Sequence, residues 1–278
     1  MSIVCRKGVI EDLPVLLEIE KRSSPRLLYL DGVKDEFFDN TTGELIVAEE
    51  DGVPIGFARF SLQYDGSGWL EVLRVDPDHQ KKGCGATIWK RFIELCGIYK
   101  VPFVRMYTGL TNYASRVLGE RNGLKVAYQT REGTLMADSS IKGSYGNFRK
   151  VTSADEAEKA IMSHAGIYHG YFCQNRTFYG INRSVCEGLF KDVSIWTDNN
   201  GSCVITGARF LKDQGLHLGL MGGDLDACIS LAKAVFSESG LPKLVCMIPS
   251  ERDDYKAALE KAGFTFPDSQ IIMLERAF

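Results

Sequence analysis

Apolar and polar positions along the chain predict a succession of strands and helices. Residues 3–9 alternate with the two-residue period of a strand, and apolar positions recur at helical spacing over residues 11–20. The dipeptide Asp51-Gly52 separates two strand-like runs, which predicts a β-hairpin. Because strand and helix patterns both occur within the first 62 residues, the pattern predicts an α/β chain and not an all-helical or all-strand one.

A strand, a loop containing glycines and a helix are predicted next. Residues 69–75 form the strand, residues 76–85 the loop and residues 86–98 the helix. Side chains alternate between the two faces of a strand. We therefore expect one face of this strand to carry Trp69, Glu71, Leu73 and Val75. Trp69 is interpreted as a packing residue, with stacking on the substrate as the alternative, and Glu71 places one carboxylate on that face.

Residues 101–136 are expected to complete the first domain. The pattern predicts a strand over 101–108, a helix over 112–121 and two closing strands around Arg131-Glu132-Gly133. Small and polar residues over 139–150 are typical of a linker. We therefore predict a first domain of residues 1–138, a linker over residues 139–150 and a second domain of residues 151–278.

The second half repeats the order of the first in a weaker form. Both halves contain a helix that ends in a glycine followed by an apolar residue, and these glycines, Gly123 and Gly263, lie 140 residues apart. That spacing is close to half of the 278-residue chain. An internal duplication explains it most simply.

Composition and charge exclude several classes of protein. Hydrophobic residues make up 45% of the chain, and 33 basic against 36 acidic residues give a net charge of −3, so we expect no nucleic-acid partner. No apolar run approaches the roughly 18 residues of a membrane span, and charged residues interrupt the N-terminus before a signal peptide could form. Eight cysteines without a C-x-x-C pair are expected to be reduced core thiols. We therefore expect a cytoplasmic protein with no membrane partner.

The loop between the predicted strand and helix has the chemistry of an anion-binding site. Backbone N–H groups at a helix N-terminus point in one direction and favour negative charge. Gly83 and Gly85 allow the backbone to approach a ligand closely, and Lys81 and Lys82 add positive charge. A ligand that carries phosphate groups fits this loop.

The segment Gln80-Lys81-Lys82-Gly83-Cys84-Gly85 matches the Q/R-x-x-G-x-G/A signature of the GNAT N-acetyltransferases. The V-x-P of Val75 to Pro77 precedes it at the usual interval, and the N-x-x-S of Asn112 and Ser115 follows. Residues 3 to about 136 resemble this family. The resemblance implies a tandem GNAT fold of the α/β (α+β) class, with a mixed central sheet flanked by helices and a degenerate second copy.

The resemblance also implies that the chain binds acetyl-CoA, its co-substrate. Backbone groups of Leu73 and Val75 would contact pantetheine and the acetyl group, and the later helix would contribute Asn112 and Ser115. The pyrophosphate would lie on the amides of Gln80, Lys81, Lys82, Gly83, Cys84, Gly85 and Ala86.

The expected reaction is direct attack of a neutral amine on the thioester, which needs a base and an oxyanion donor. Glu71 is the predicted base, acting through water, with a rim carboxylate or a salt-bridge partner as the alternative interpretation. The N–H of Val75 is the predicted oxyanion donor. Where the family commonly has a tyrosine that protonates the leaving thiolate, this chain has Gly119. Tyr113 and Tyr107 are the alternative acids.

The remaining expectations concern the acceptor and the second half. Two short segments, Leu73 to Pro77 and Gln129 to Leu135, are similar to histidine N-acetyltransferases, which suggests a small primary amine such as an amino acid. A catalytically weak acyl-CoA sensor and a protein or peptide amine acetyltransferase are the alternatives. We expect a monomer that forms its own pseudo-dimer, or a homodimer. No metal is expected, because His164 and His169 lack a metal-ligand pattern.

Overall fold

The computed structural model describes residues 2–278, and strands and helices of that range form a mixed α/β structure. The chain divides into two compact units. The first contains the residues up to Met106 together with Glu275–Phe278, and the second contains Tyr107–Leu274. Each unit has its own hydrophobic core.

The first unit contains one sheet in the order β1-β2-β3-β4-β5. The pairs are antiparallel except β4 with β5, which is parallel. The hairpin predicted at Asp51-Gly52 is confirmed between β2 and β3. The elements are β1 Ile3–Lys7, α1 Leu13–Ser23, α2 Leu30–Phe38, β2 Gly43–Glu50, β3 Val53–Leu62, β4 Gly68–Val75, α3 Cys84–Tyr99 and β5 Phe103–Gly109, whose last residues belong to the second unit.

Helices cover both faces of this sheet. Phe60 of β3 stacks on Tyr99 of α3, with ring centroids 5.6 Å apart. Its neighbour Arg59 points to the opposite face, because side chains alternate along a strand, and its guanidinium lies 6.0 Å from the ring of Phe37 in α2. Most of the first unit's core therefore lies in two layers, one under α3 and one under α1 and α2.

The second unit contains a sheet in the order β14-β6-β13-β12-β11-β10-β7 and a separate hairpin, β8 with β9. Strands β12 and β13 pair in parallel. The elements are α4 Tyr113–Arg121, β6 Lys125–Met136, β7 Arg149–Lys150, α5 Ala154–Met162, β8 Tyr171–Gln174, β9 Thr177–Gly180, α6 Arg183–Leu189, β10 Val193–Thr197, β11 Cys203–Gly207, β12 Leu216–Gly222, α7 Leu225–Ser239, β13 Lys243–Pro249, α8 Asp253–Lys261 and β14 Gln270–Ala277.

The second half repeats the element order of the first. The succession β10-β11-β12-α7-β13-α8-β14 matches β2-β3-β4-α3-β5-α4-β6, and each succession contains one parallel strand pair in the same place. The repeated order agrees with an internal duplication. The exact borders at residues 138 and 150, with a linker between them, stay a prediction.

Two details differ from the sequence-based expectation. Residues 125–136 form one continuous strand, so the prediction of two strands around Arg131-Glu132-Gly133 is wrong. Gly133 does not make a turn; a Cβ there would collide with the ring of Phe266, so this glycine allows a close approach. The hairpin of β8 and β9 was not predicted, because its turn residues Asn175 and Arg176 adopt φ of +49° and +60° without a glycine.

No helix within residues 2–278 has the length and apolar character needed to cross a membrane.

Candidate functional site

A β-bulge interrupts β4 next to the predicted site. Arg59 pairs with Glu71 and Phe57 with Arg74, so β4 contains one residue more than β3 between these two pairs. Val72 in this interval has φ of +60°, in the left-handed region that a β-branched residue rarely adopts. Bulges bend a strand and change which face its side chains occupy.

The bulge corrects the prediction that Glu71, Leu73 and Val75 share one face. Glu71 shares the face of Arg74, because their partners Arg59 and Phe57 are two residues apart on β3. Val75 pairs with Gly56, where a Cβ would meet Sγ of Cys84 in α3. The side chain of Val75 thus belongs to the α3 face. Its proposed contact uses the backbone N–H, which does not depend on the face.

Glu71 is buried, with 8% of its surface exposed. Its Oε1 accepts a hydrogen bond of 2.6 Å from the hydroxyl of Ser61, which in turn accepts one of 3.2 Å from Nε of Arg59. Arg59 is fully buried. The predicted base is therefore part of a buried polar chain, which the sequence did not suggest because Arg59 and Ser61 lie on a strand that reads as apolar.

Asp76 organises the loop that follows β4. Its Oδ1 accepts a hydrogen bond of 3.0 Å from the N–H of Asp78, and its own N–H donates to the carbonyl of Ile55 at 2.8 Å. Arg22, at the end of α1, donates to Asp76 at 2.5 Å and to Asp78 at 2.7 Å. The Arg22 guanidinium lowers the pKa of the Asp78 carboxyl. Arg22 thus ties α1 to this loop.

The predicted anion site lies at the N-terminus of α3. Gly83 is the N-cap residue, has φ of +96°, and no side chain caps the helix. The first four N–H groups of a helix have no acceptor within the helix. Lys81 and Lys82 are exposed beside them, and Lys81 has φ of +62°. Uncapped amides, the positive end of a 16-residue helix and two lysines together favour an anion.

Gln80 and Cys84 of the predicted motif both make contacts within the protein. The amide of Gln80 donates to the carbonyl of Val75 at 3.1 Å and so closes the loop. Cys84 is buried with 1% exposed, and burial raises the pKa of its thiol to about 12. The thiol is therefore protonated at neutral pH, which agrees with a small packing residue and not with a nucleophile. Gly85 and Ala86 belong to the first turn of α3.

The other predicted residues belong to the second unit. Asn112 is the N-cap of α4, where its side chain accepts a hydrogen bond of 3.3 Å from the N–H of Ser115. Tyr113 is 69% exposed, and Gly119 is buried in the same helix. Tyr107 hydrogen-bonds to Arg176. The roles predicted for Asn112, Ser115, Tyr113 and Tyr107 stay predictions.

Helix α7 of the second unit corresponds to α3, but a side chain caps its N-terminus. Gly223 has the same φ of +96° as Gly83, but the next residue, Asp224, caps α7 by accepting a hydrogen bond of 3.0 Å from the N–H of Ala227. Asp226 adds a second acidic residue to the first turn. A carboxylate already occupies the place where a phosphate would bind.

Strand β12 also has a bulge, and side chains of another strand pack against it. The register between β11 and β12 shifts after Ile205, which leaves Gly219 as the extra residue. A Cβ on Gly219 would lie 2.5 Å from Oε1 of Gln174 and 2.6 Å from the ring of Phe172. Hairpin residues of β8 thus fill the position beside this bulge, which is a second reason to regard the copy as degenerate.

Within residues 2–278, no group of three or more histidine, cysteine or acidic side chains could hold a metal ion. His164 instead lies against Gly222 and hydrogen-bonds to the carbonyl of Gly201 at 2.9 Å, while His169 pairs with Glu251.

Known proteins resemble this chain. Residues 13–123 match the model of the Acetyltransferase (GNAT) family. A GCN5-related N-acetyltransferase from Sphaerobacter thermophilus is similar at 11% identity with a TM-score of 0.69, over 99% of this chain and 95% of that one. A putative acetyltransferase from Thermoplasma acidophilum is similar at 15% identity with a TM-score of 0.65, over 99% and 100% of the two chains.

A tandem GNAT protein from the clavulanic acid biosynthesis pathway is also similar, at 11% identity with a TM-score of 0.60 over 99% of this chain and 98% of that one. At these identities the likeness shows the fold alone, and it confirms the mixed α/β tandem architecture predicted from the sequence. No curated protein matches the chain.

Proposed function

Through residues 13–123 this chain belongs to the acetyltransferase (GNAT) family, and from this premise we propose that it transfers the acetyl group of acetyl-CoA to the primary amine of a small molecule. The observation that carries the proposal is the uncapped N-terminus of α3, directly after the bulged strand β4. A family match makes the chain an acyltransferase. The uncapped helix supports a place for the phosphates of its co-substrate.

The residues of the first unit fit acetyl-CoA. The backbone amides from Gln80 to Ala86 would hold the pyrophosphate, with Lys81 and Lys82 adding charge beside it. Leu73 and Val75, after the bulge, would contact pantetheine and the acetyl group through backbone groups. Asn112 and Ser115 remain the predicted contacts from α4.

The proposed reaction is a direct transfer. The lone pair of the neutral amine attacks the thioester carbon, and the N–H of Val75 stabilises the oxyanion of the tetrahedral intermediate. The carbon–sulfur bond then breaks, CoA leaves as a thiolate, and the amine proton passes through water to Glu71. Either Tyr107 or Tyr113 would protonate the thiolate, and a Tyr→Phe change at the correct position would lower kcat.

The acceptor and the cell compartment are parts of the proposal. An amino acid is the suggested class of amine, and a monomer or a homodimer the suggested assembly. The eight free cysteines support a reducing compartment such as the cytoplasm, because disulfides form mainly in oxidising ones. Gly119, in place of the family's usual tyrosine, favours one alternative, an acyl-CoA sensor without turnover.

A thermal-shift titration with acetyl-CoA, followed by an amine screen, tests the proposal. A ligand at a hundredfold excess over its Kd adds about 2.7 kcal/mol to the free energy of unfolding, which is several degrees in Tm. Turnover would be followed as free CoA thiol. Seven of the eight protein thiols are buried, so they add little background.

Stabilisation by acetyl-CoA with release of CoA that depends on an amine would support the proposal. Stabilisation without turnover on any small amine or peptide would indicate the sensor, and turnover on peptides alone would indicate a protein acetyltransferase. No stabilisation by acetyl-CoA would refute the proposal.

A further inference from the structure

The first unit contains two buried chains of the form arginine, serine, carboxylate. One joins Arg59, Ser61 and Glu71; in the other, Arg105 donates to Ser67 at 2.8 Å and Ser67 donates to Asp65 at 2.6 Å. Arg105 also pairs directly with Asp65. The second chain therefore has the chemistry of a structural ion pair, whereas the first ends on the side chain proposed as the catalytic base.

We propose that Ser61 and Arg59 are positioning residues, which fix the orientation of the Glu71 carboxylate for its role as base. The inference rests on the proposed function, because that function assigns the base to Glu71. It adds two residues that the family's sequence motif does not contain.

Hydrogen-bond chemistry sets the direction of the chain. An arginine donates and cannot accept, so the contact with Nε of Arg59 uses a lone pair of the Ser61 oxygen. A serine hydroxyl has one proton, and the 2.6 Å contact directs that proton to Oε1 of Glu71. The hydroxyl therefore donates to the Glu71 carboxylate and holds Oε1 on the side of Ser61.

The surroundings hold Arg59 in place. Its Nη1 donates to the carbonyl of Phe37 at 2.9 Å, and its Nη2 donates to the carbonyl of Asp39 and to Oγ1 of Thr42, both at 3.0 Å. These partners lie at and just beyond the C-terminal end of α2, so the helix end and the loop to β2 fix the guanidinium. A fully buried charge that makes these hydrogen bonds does not move without disturbing that loop.

Glu71 also lies in a defined set of charges. Arg59 is its cross-strand partner on β3, and the Asp39 carboxylate interacts with Arg59 from the end of α2. On β5, Arg105 is already paired with Asp65 and Glu275. Ser61 connects the Arg59 guanidinium to the Glu71 carboxylate, because it accepts a hydrogen bond from the first and donates one to the second.

The test combines crystal structures with steady-state kinetics of Ser61→Ala and Ser61→Thr. In Ser61→Ala the Glu71 carboxylate should leave its position beside residue 61, because the hydrogen bond that holds it is lost. Its kcat should fall about tenfold at unchanged KM for acetyl-CoA, since a hydrogen bond to a charged group is lost. Ser61→Thr keeps the hydroxyl and should restore both the position of the carboxylate and kcat.

Ser67→Ala is the matched control, since it removes a buried hydroxyl between an arginine and a carboxylate that is not Glu71. It should lower Tm but leave the position of the Glu71 carboxylate and kcat unchanged. An unmoved Glu71 carboxylate in Ser61→Ala would overturn the inference, and so would an equal displacement in Ser67→Ala. The crystal structures need no turnover, so absence of any acetyl transfer would refute the proposed function separately.

Discussion

Replacing Gly83 by aspartate or by asparagine isolates the electrostatic part of acetyl-CoA binding. A Cβ built on Gly83 meets nothing within 4 Å, so neither side chain clashes with the protein. The φ of +96° strains both variants equally, and asparagine and aspartate tolerate positive φ better than other residues with a side chain. The two variants therefore differ in one negative charge at the N-terminus of α3.

The size of the effect follows from Coulomb's law. A carboxylate about 5 Å from one phosphate charge repels it by about 0.8 kcal/mol in water and by about 3 kcal/mol at an effective dielectric constant near 20. The exposure of Gly83 and of the preceding Lys81 and Lys82 places the true value between these limits. We expect Gly83→Asp to bind acetyl-CoA at least about fourfold, and up to about 200-fold, more weakly than Gly83→Asn.

Isothermal titration calorimetry at low and high salt measures this difference. The ratio of the two Kd values should shrink at high salt, because ions screen exposed charges. Gly66→Asp is the control: Gly66 lies in an exposed turn with φ of +82° and open space around its Cβ, and its variant should bind like the wild type. Equal Kd values for Gly83→Asp and Gly83→Asn would refute the assignment of the phosphates to this helix.

Three further predictions concern Arg22, Asp224 and His217. Arg22→Ala should raise KM for acetyl-CoA more than it lowers kcat, because the loop at Asp76 loses its tie to α1; equal changes in both constants would contradict this. Asp224→Ala should cost about 1 kcal/mol of stability in chemical denaturation and leave acetyl-CoA affinity unchanged, whereas weaker binding would place a ligand at α7. Burial lowers the pKa of His217 to about 4 in the folded protein, so the unfolded chain protonates this histidine at a higher pH than the folded chain does. The free energy of unfolding should therefore fall by about 3 kcal/mol between pH 7 and pH 4. In His217→Gln the dependence of the free energy of unfolding on pH should be flatter.

The sequence predicted those parts of the fold that depend on local pattern. The strand predicted over residues 69–75 is observed as Gly68–Val75 and the helix predicted over residues 112–121 as Tyr113–Arg121, because alternation and helical spacing of apolar residues determine them directly. The glycine loop before α3 was found from its residue types, since a positive φ at an N-cap favours glycine.

The remaining features depend on contacts between distant residues. The bulge at Val72 has no glycine to indicate it, so the strand alternation predicted the wrong face for Val75. Ser61 and Arg59 become neighbours of Glu71 only through the pairing of β3 with β4. Gln174 occupies the place beside Gly219 only because a hairpin remote in sequence packs there.

The crystal structure of the protein with bound acetyl-CoA tests the central claim most directly. We predict the pyrophosphate on the backbone amides between Lys81 and Ala86, the thioester beside β4 after its bulge, and one molecule of acetyl-CoA per chain. A pyrophosphate at the N-terminus of α7, next to Asp224, or away from both helices, would contradict the account.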